Sequence, residues 1–428
     1  MTQSIHAVAP RSAKSWAGFL TAAAMLALIC LAVNPKQAYS AEKEKGQQIS
    51  RVIAKEMTAA QKALQAGQWA EAIKQLEAAQ TKSPLTPFDE KTIYYFTGFA
   101  NIKLNNYKGA QAAFEKSIAT GAASAEDKAS MTRTLFTIAA TSNQYQKTID
   151  YGKEMTDAGS ATPNDIAMIA QSYYQLKDCK SATTWADKAV AASRKAGEAP
   201  KENLYLFKLQ CASDASDNAA MVPILSDLIR LNNKSTYWNT LLRIERQDER
   251  DDHNTLMLYR VMYDTGAMTA GTDYIEMSQL LGDAGLPGEA QSVLEKAMAT
   301  PGLITDQQKE RTNRLLNSYK TRADSDKKGL AQLEADAKKN PAGEADVKLG
   351  EVYYGSGDYP NAVTAINRGL QKQQIKHLDE AYVYLGRAQV QLKNFPDAKK
   401  AFAGLKSVPN ISARVSKLYE LYGETVGR

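Results

Sequence analysis

Few residues of this 428-residue chain could do chemistry. Of its three histidines, only His253 and His377 lie beyond the first forty residues, and they stand far apart along the sequence. His253 follows Asp251-Asp252. Such a pattern could ligate a cation, but it also suits a helix start, where a carboxylate accepts from free backbone N–H groups. No second ligand cluster accompanies it, so the helix start is the reading and no metal is expected. With so few histidines no Ser–His–Asp arrangement can be assembled. There is no phosphate-binding loop and no Gly-x-Ser-x-Gly nucleophile turn, and Gly355-Ser-Gly-Asp358 has the composition of a plain turn. Glu249 with Asp251 and Asp252 reads as an exposed acidic loop rather than an acid–base pair. Asn233-Lys-Ser and Asn410-Ile-Ser match a glycosylation acceptor only by chance. No catalytic residue and no cofactor is expected.

What the chain does carry is a period. Residues 343–371 read as two helices: Leu349, Gly350 and Tyr353 share one face of the first, and Ala362, Ile366 and Leu370 one face of the second. Gly357-Asp358 supplies the turn between them. Gly350 and Ala362 are small where the helices would cross. The same grammar returns at 379–409 (Tyr384, Gly386, Phe395, Ala398, Phe402, Pro409) and at 91–121 (Tyr94, Gly98, Tyr107, Ala110, Phe114). Weaker copies occupy 53–84, 163–195 and 271–299. The small residue of each second helix falls at Ala72, Ala110, Thr148, Ala182, Met221, Thr255, Ala290, Gly329, Ala362 and Ala398. That spacing, near 34 residues with loop insertions, leaves room for about ten hairpins.

These residues and this spacing resemble the tetratricopeptide repeat, with its W-x2-L-G-x2-Y, A-x3-F, A and P pattern. The resemblance implies an all-α, TPR-type α-solenoid of antiparallel hairpins stacked into a right-handed superhelix. Hairpins would fill 51–410, a C-terminal capping helix 411–428. The expected weak joint is 320–345, with Arg322-Ala-Asp-Ser-Asp-Lys-Lys and Lys338-Lys-Asn-Pro-Ala-Gly343.

The first forty residues differ from the rest. Arg11 and Lys14 precede an apolar run from Trp16 to Val33, and Ala38-Tyr-Ser40 offers small residues at a signal-peptidase site before Ala41. Residues 1–40 therefore read as a secretory signal peptide and 41–50 as a short linker, with an uncleaved inner-membrane anchor as the rival. Cys30 follows Ile29 rather than a small residue, which argues against a lipoprotein site. After cleavage the expectation is a periplasmic protein with no stable membrane insertion. The chain is 44% hydrophobic and 23% charged, ordinary for a soluble globular protein. Arg11, Lys14 and Lys36 are the only charges of the first forty residues. The 53 Lys and Arg less these three face 47 Asp and Glu, a net of +3. So balanced a charge excludes nucleic acid as a general partner.

Cys179 and Cys211 remain in the exported part. Cys179 opens one hairpin's second helix and Cys211 lies near the end of the next hairpin's first helix, at the same end of the stack. Either they form a disulfide, which this placement favours, or both stay as buried thiols. A bridge would close a loop of about thirty residues, worth roughly 3 kcal/mol by chain entropy.

In such a stack the first helices line a concave groove. Helical spacing puts Val347, Glu351 and Tyr354 there, with Tyr95, Phe99 and Ile102, then Ala167, Gln171 and Tyr174. Further on come Asn239, Arg243 and Arg246, and Val383, Arg387 and Val390. Aromatic, arginine and amide groups suit a bound peptide; packing between repeats would employ the same residues. Pro200–Leu209, Ile224–Asn232 with Tyr237-Trp238, and Met277–Glu295 resemble, with the C-terminal repeats, exported bacterial repeat proteins encoded beside TonB–ExbB–ExbD energy-transduction systems. That implies a non-catalytic periplasmic scaffold binding protein partners of the cell envelope. The alternative is an envelope-assembly factor handling peptidoglycan or exported polysaccharide.

Overall fold

A computed structural model describes residues 48–409 and 411–428. The expected signal peptide, 1–40, and linker residues 41–47 lie outside the described residues. The chain divides into two compact units at Asp214/Ala215.

The first unit, residues 48–214, is all helix: α1 (Ala54–Gln65), α2 (Trp69–Gln80), α3 (Pro87–Lys103), α4 (Tyr107–Ala119), α5 (Ala125–Thr141), α6 (Tyr145–Asp157), α7 (Pro163–Gln175), α8 (Cys179–Lys195) and α9 (Glu202–Asp214). Local chemistry sets the boundaries. Thr86 and Thr162 cap α3 and α7, each in a reciprocal box with Asp89 or Asp165, and a proline takes the first helical position. Between paired helices one residue turns left-handed and the next caps. Asn105 (φ 57°) precedes the cap Asn106, and Lys177 (φ 65°) precedes Asp178. Glycine does the same at Gly67 (φ 71°). The small residues sit at the crossings: a Cβ on Gly98 would meet the Phe114 ring at 2.6 Å. Ala110 and Phe114 are fully buried beside it.

The second unit, residues 215–428, contains α10 (Asn218–Leu231), α11 (Ser235–Arg246), α12 (Asp252–Asp264), α13 (Gly271–Asp283), α14 (Pro287–Ala299), α15 (Asp306–Lys339), α16 (Glu344–Gly355), α17 (Tyr359–Lys372), α18 (Leu378–Gln391), α19 (Phe395–Gly404) and α20 (Ala413–Thr425), with a 3-10 turn at Leu405–Ser407. No strand occurs among the described residues. The crossings again use glycine: Gly350 against Ile366, and Gly386 against Phe402.

Two expectations fail in this unit. The hairpin placed at Gly329 is a single helix of 34 residues, α15, which runs straight through 320–339. A Cβ on Gly329 would meet nothing within 4 Å, so no helix crosses there. The segment lacks proline and is rich in Ala and Lys, with Leu330 and Leu333, so propensity carries the helix on. The break falls within the expected 320–345 stretch but only at its end, at Asn340–Gly343, where Pro341 cannot continue the helix.

The second departure is closure. Seven consecutive residues of α12, Leu256 to Met262, are at most 3% exposed. A helix buried on every face lies inside a structure rather than on a wall of it. The C-terminal helix α20 returns to cover it. Tyr419 donates to the Met257 carbonyl at 3.1 Å, and Tyr422 meets the Trp238 ring edge-on at 6.3 Å between centroids. Arg230 pairs with Glu424 at 2.9 Å, and Asn233 donates to the Thr425 carbonyl at 2.9 Å. Instead of an open end with a cap, the unit joins its last helix to its first two.

Candidate protein-interaction face

The sequence-predicted face residues fall into three groups. In the first unit, Tyr95 and Phe99 on α3 are buried, 7% and 3% exposed. Tyr95 packs edge-on against Phe114, and burial, with Asp127 nearby, pushes its hydroxyl up to about 12. Phe99 packs edge-on against Trp69 and carries the Lys103 ammonium over its face. They serve as packing with a thin rim. Gln171 on α7 is exposed. Half-buried Tyr174 stacks on Phe207 of α9, 5.5 Å between centroids, so α7 and α9 touch here. Lys177 lies over the same tyrosine.

Arg243 and Arg246 on α11 converge on one carboxylate, Asp273 of α13, at 3.4 and 3.3 Å. Asp273 is only 4% exposed, so both arginines neutralise a buried charge. They were expected on the groove face or in packing between repeats; here both pair with Asp273 of a neighbouring helix. Arg246 also lies over the Tyr259 ring, 4.5 Å from its centroid.

Glu351, Tyr354 and Arg387 come together beside α12, lining a cleft of about 570 Å³ with Tyr263, Lys296 and Asp324. They were expected on an open groove, but Glu351 and Arg387 are 3% and 1% exposed, and Val347 and Val383 are wholly buried. The place of a guest peptide is taken by the chain's own helix. Arg387 grips Asp264 with two bonds, at 2.7 and 3.0 Å, and also pairs with Glu289. Arg260, fully buried on α12, donates to Glu380 at 2.7 Å and pairs with Glu289 at 3.3 Å. The Tyr384 hydroxyl joins Arg260 at 2.6 Å and donates to Glu289 at 2.5 Å. Two guanidiniums thus hold three carboxylates together. Burial alone would raise Glu289, but Arg387 and Arg260 outweigh it and keep the carboxyl near 2. Glu351 has weaker support: burial and then the neighbouring Glu380 charge push it up to about 7, against Lys348.

The groups of this cluster are arranged as ion pairs and hydrogen bonds among themselves, and none is a nucleophile poised beside a base. Among the described residues no set of three or more His, Cys, Asp or Glu is arranged to hold a metal ion, and no helix is long and apolar enough to cross a membrane. Sequence reasoning missed Arg260, Glu289, Glu380 and Tyr384. A signal existed: Leu256-Met-Leu-Tyr-Arg-Val-Met262 is apolar around the whole helix except for one arginine.

Cys179 at the start of α8 and Cys211 in α9 form a disulfide, with their Cα atoms 5.6 Å apart. It ties α8 to α9 within the first unit.

The fold is an all-α solenoid of tetratricopeptide type, read from the hairpins themselves. No family model matches the chain, and no curated protein matches it. Solved structures similar to it include a tetratricopeptide repeat protein from Parabacteroides merdae, at 9% identity over 78% of this chain and 98% of the other, TM-score 0.27. The TPR domain of P58(IPK) shares 15% identity over 80% and 98%, TM-score 0.21. The TPR2AB domain of yeast Sti1, in a complex with pHSP90, shares 10% over 70% and 98%, TM-score 0.23.

Proposed function

We propose that the protein is a non-catalytic scaffold that holds protein partners on the first-helix face of its first unit. The observation that carries this is Gln171 exposed beside half-buried Tyr174, whose ring stacks on Phe207 and joins α7 to α9. An aromatic ring with one face packed and an amide beside it is the composition of a peptide anchor. The second unit works as a closed body, its inner face spent on α12. The leader-like first forty residues support export, and with it a periplasmic partner, in keeping with an accessory role at an envelope transport or energy-transduction complex.

The test is a photo-crosslinking amino acid placed at Gln171, with a second at Lys74 on α2 as the control, both in the full chain expressed in its native envelope. A protein adduct at Gln171 and none at Lys74 is expected. Equal labelling at both, or retention of glycan alone, would sink the reading. Mass spectrometry of the purified protein should find Ala41 as its first residue.

A further inference from the structure

The described part of the chain has two histidines, 124 positions apart, and they meet. Their ring centroids are 6.2 Å apart. His377 caps the start of α18 and His253 opens α12, so two helix N-termini converge where the second unit closes. The His253 Nε2 lies 2.5 Å from Asp379, and its Nδ1 lies 3.5 Å from Glu380. We infer that this junction is a proton-operated latch: an imidazolium at His253 fastens α12 to α18, and the neutral ring loosens the seam.

The donor inventory gives the reason. A neutral imidazole has one N–H and one lone pair, so it can satisfy one flanking carboxylate and must turn an acceptor toward the other. The imidazolium donates to both. The surrounding charges agree. From α18 come Asp379 and Glu380; from α12 itself come Asp251 at the cap, Asp252 and, further along, Arg260. Arg260 opposes a positive ring, but its guanidinium is already engaged by Glu380 at 2.7 Å. Behind Glu380 stand Glu351 and Lys348 of α16, which pair at 2.9 Å. Glu344, at the head of that helix, accepts from the Lys376 backbone N–H. Glu249 faces the preceding loop, accepting from the Arg250 and Asp251 amides. Carboxylates outnumber cations at this seam. In the folded protein Asp379 raises the proton affinity of His253 above its ordinary value, against the pull of burial, with Glu380 adding to the rise.

A raised imidazole stabilises the closed form fully below its unfolded value of about 6.5, and that contribution is lost as pH rises through the folded value. Glu351 works in the same direction, so the test is run in a Glu351→Gln background of the full chain. The thermal midpoint should fall between pH 6 and pH 8.5, and His253→Gln should flatten that slope while matching its parent at pH 8.5. The second readout needs no folding-sensitive variant: in the unaltered full chain, the His253 imidazole resonance should titrate above 6.5. Asp379→Asn should bring it down. A slope unchanged by His253→Gln, or a His253 midpoint at or below 6.5, overturns the latch.

Discussion

Arg260 and Glu380 are 120 residues apart in the chain and 2.7 Å apart in space, both out of water. The pair is the keystone of the second unit, joining α12 to α18. Burying two ions is costly, and the return comes only while each keeps its partners. Arg260→Met should therefore destabilise this unit by about 3–5 kcal/mol, because Glu380 stays buried with only the His253 ring, 3.5 Å away, beside it. The double variant with Glu380→Met should recover much of that loss. Urea titration followed through Trp238, the sole tryptophan of residues 215–428, checks both.

Glycine substitutions should separate a crossing from open helix. A Cβ on Gly386 would sit 2.3 Å from the Phe402 ring, which is fully buried. Gly386→Ala should cost about 1–3 kcal/mol from overpacking. Gly329→Ala should instead stabilise by about 1 kcal/mol, as alanine does in an exposed helix interior. Loss of stability at position 329 would restore a hairpin there and contradict the continuous α15.

Removing the Cys179–Cys211 bridge opens a separation of 32 residues. Replacing both by serine should lower the stability of the first unit by about 3 kcal/mol, with no change in helix content at room temperature. Alkylation with and without reductant should show no free thiol at either position in the native protein.

Glu351 makes stability fall with alkalinity. Its folded carboxyl titrates at about 7, above the ordinary 4.5, so the folded state binds the proton more tightly than the unfolded one. The benefit is complete below about 4.5 and disappears as pH rises through 7. A loss of roughly 3 kcal/mol follows. Glu351→Gln should make the fall between pH 5 and 7.5 shallower, leaving the His253 contribution, and a midpoint flat over that range in the unaltered protein would disprove it.

Reversing both Arg243 and Arg246 to glutamate should unsettle the fold before it affects any partner. Asp273 would lose both counterions while remaining buried, a cost of about 1–3 kcal/mol. Asp273→Asn should relieve it. A double variant as stable as the parent would show that the arginines are free after all.

Much of this molecule could be read from residue types. The Gly–Phe crossings at 98/114 and 386/402, the turns at Asn106-Tyr107 and Gly357-Asp358, and the pairing of Cys179 with Cys211 all follow from contacts close in sequence, which a period encodes. The rest depended on contacts between remote positions. Glu351 and Arg387 had the right helical phase for an inner face, but phase does not say what occupies that face. His253 and His377 are remote on any linear ruler, and only the return of α18 to α12 unites them. The repeat at Gly329 was inferred from neighbouring intervals, and local propensity overrode it.

The return of α20 onto α10 to α12 changes what the second unit can tolerate. An open array can lose a terminal repeat and keep the remainder, since each hairpin answers only to its neighbours. Here truncation at the carboxyl end strips the lid from α12 at the far end of the same body. Evolution could lengthen or shorten such a body only by re-matching both ends at once, so its size is held fixed by its own topology.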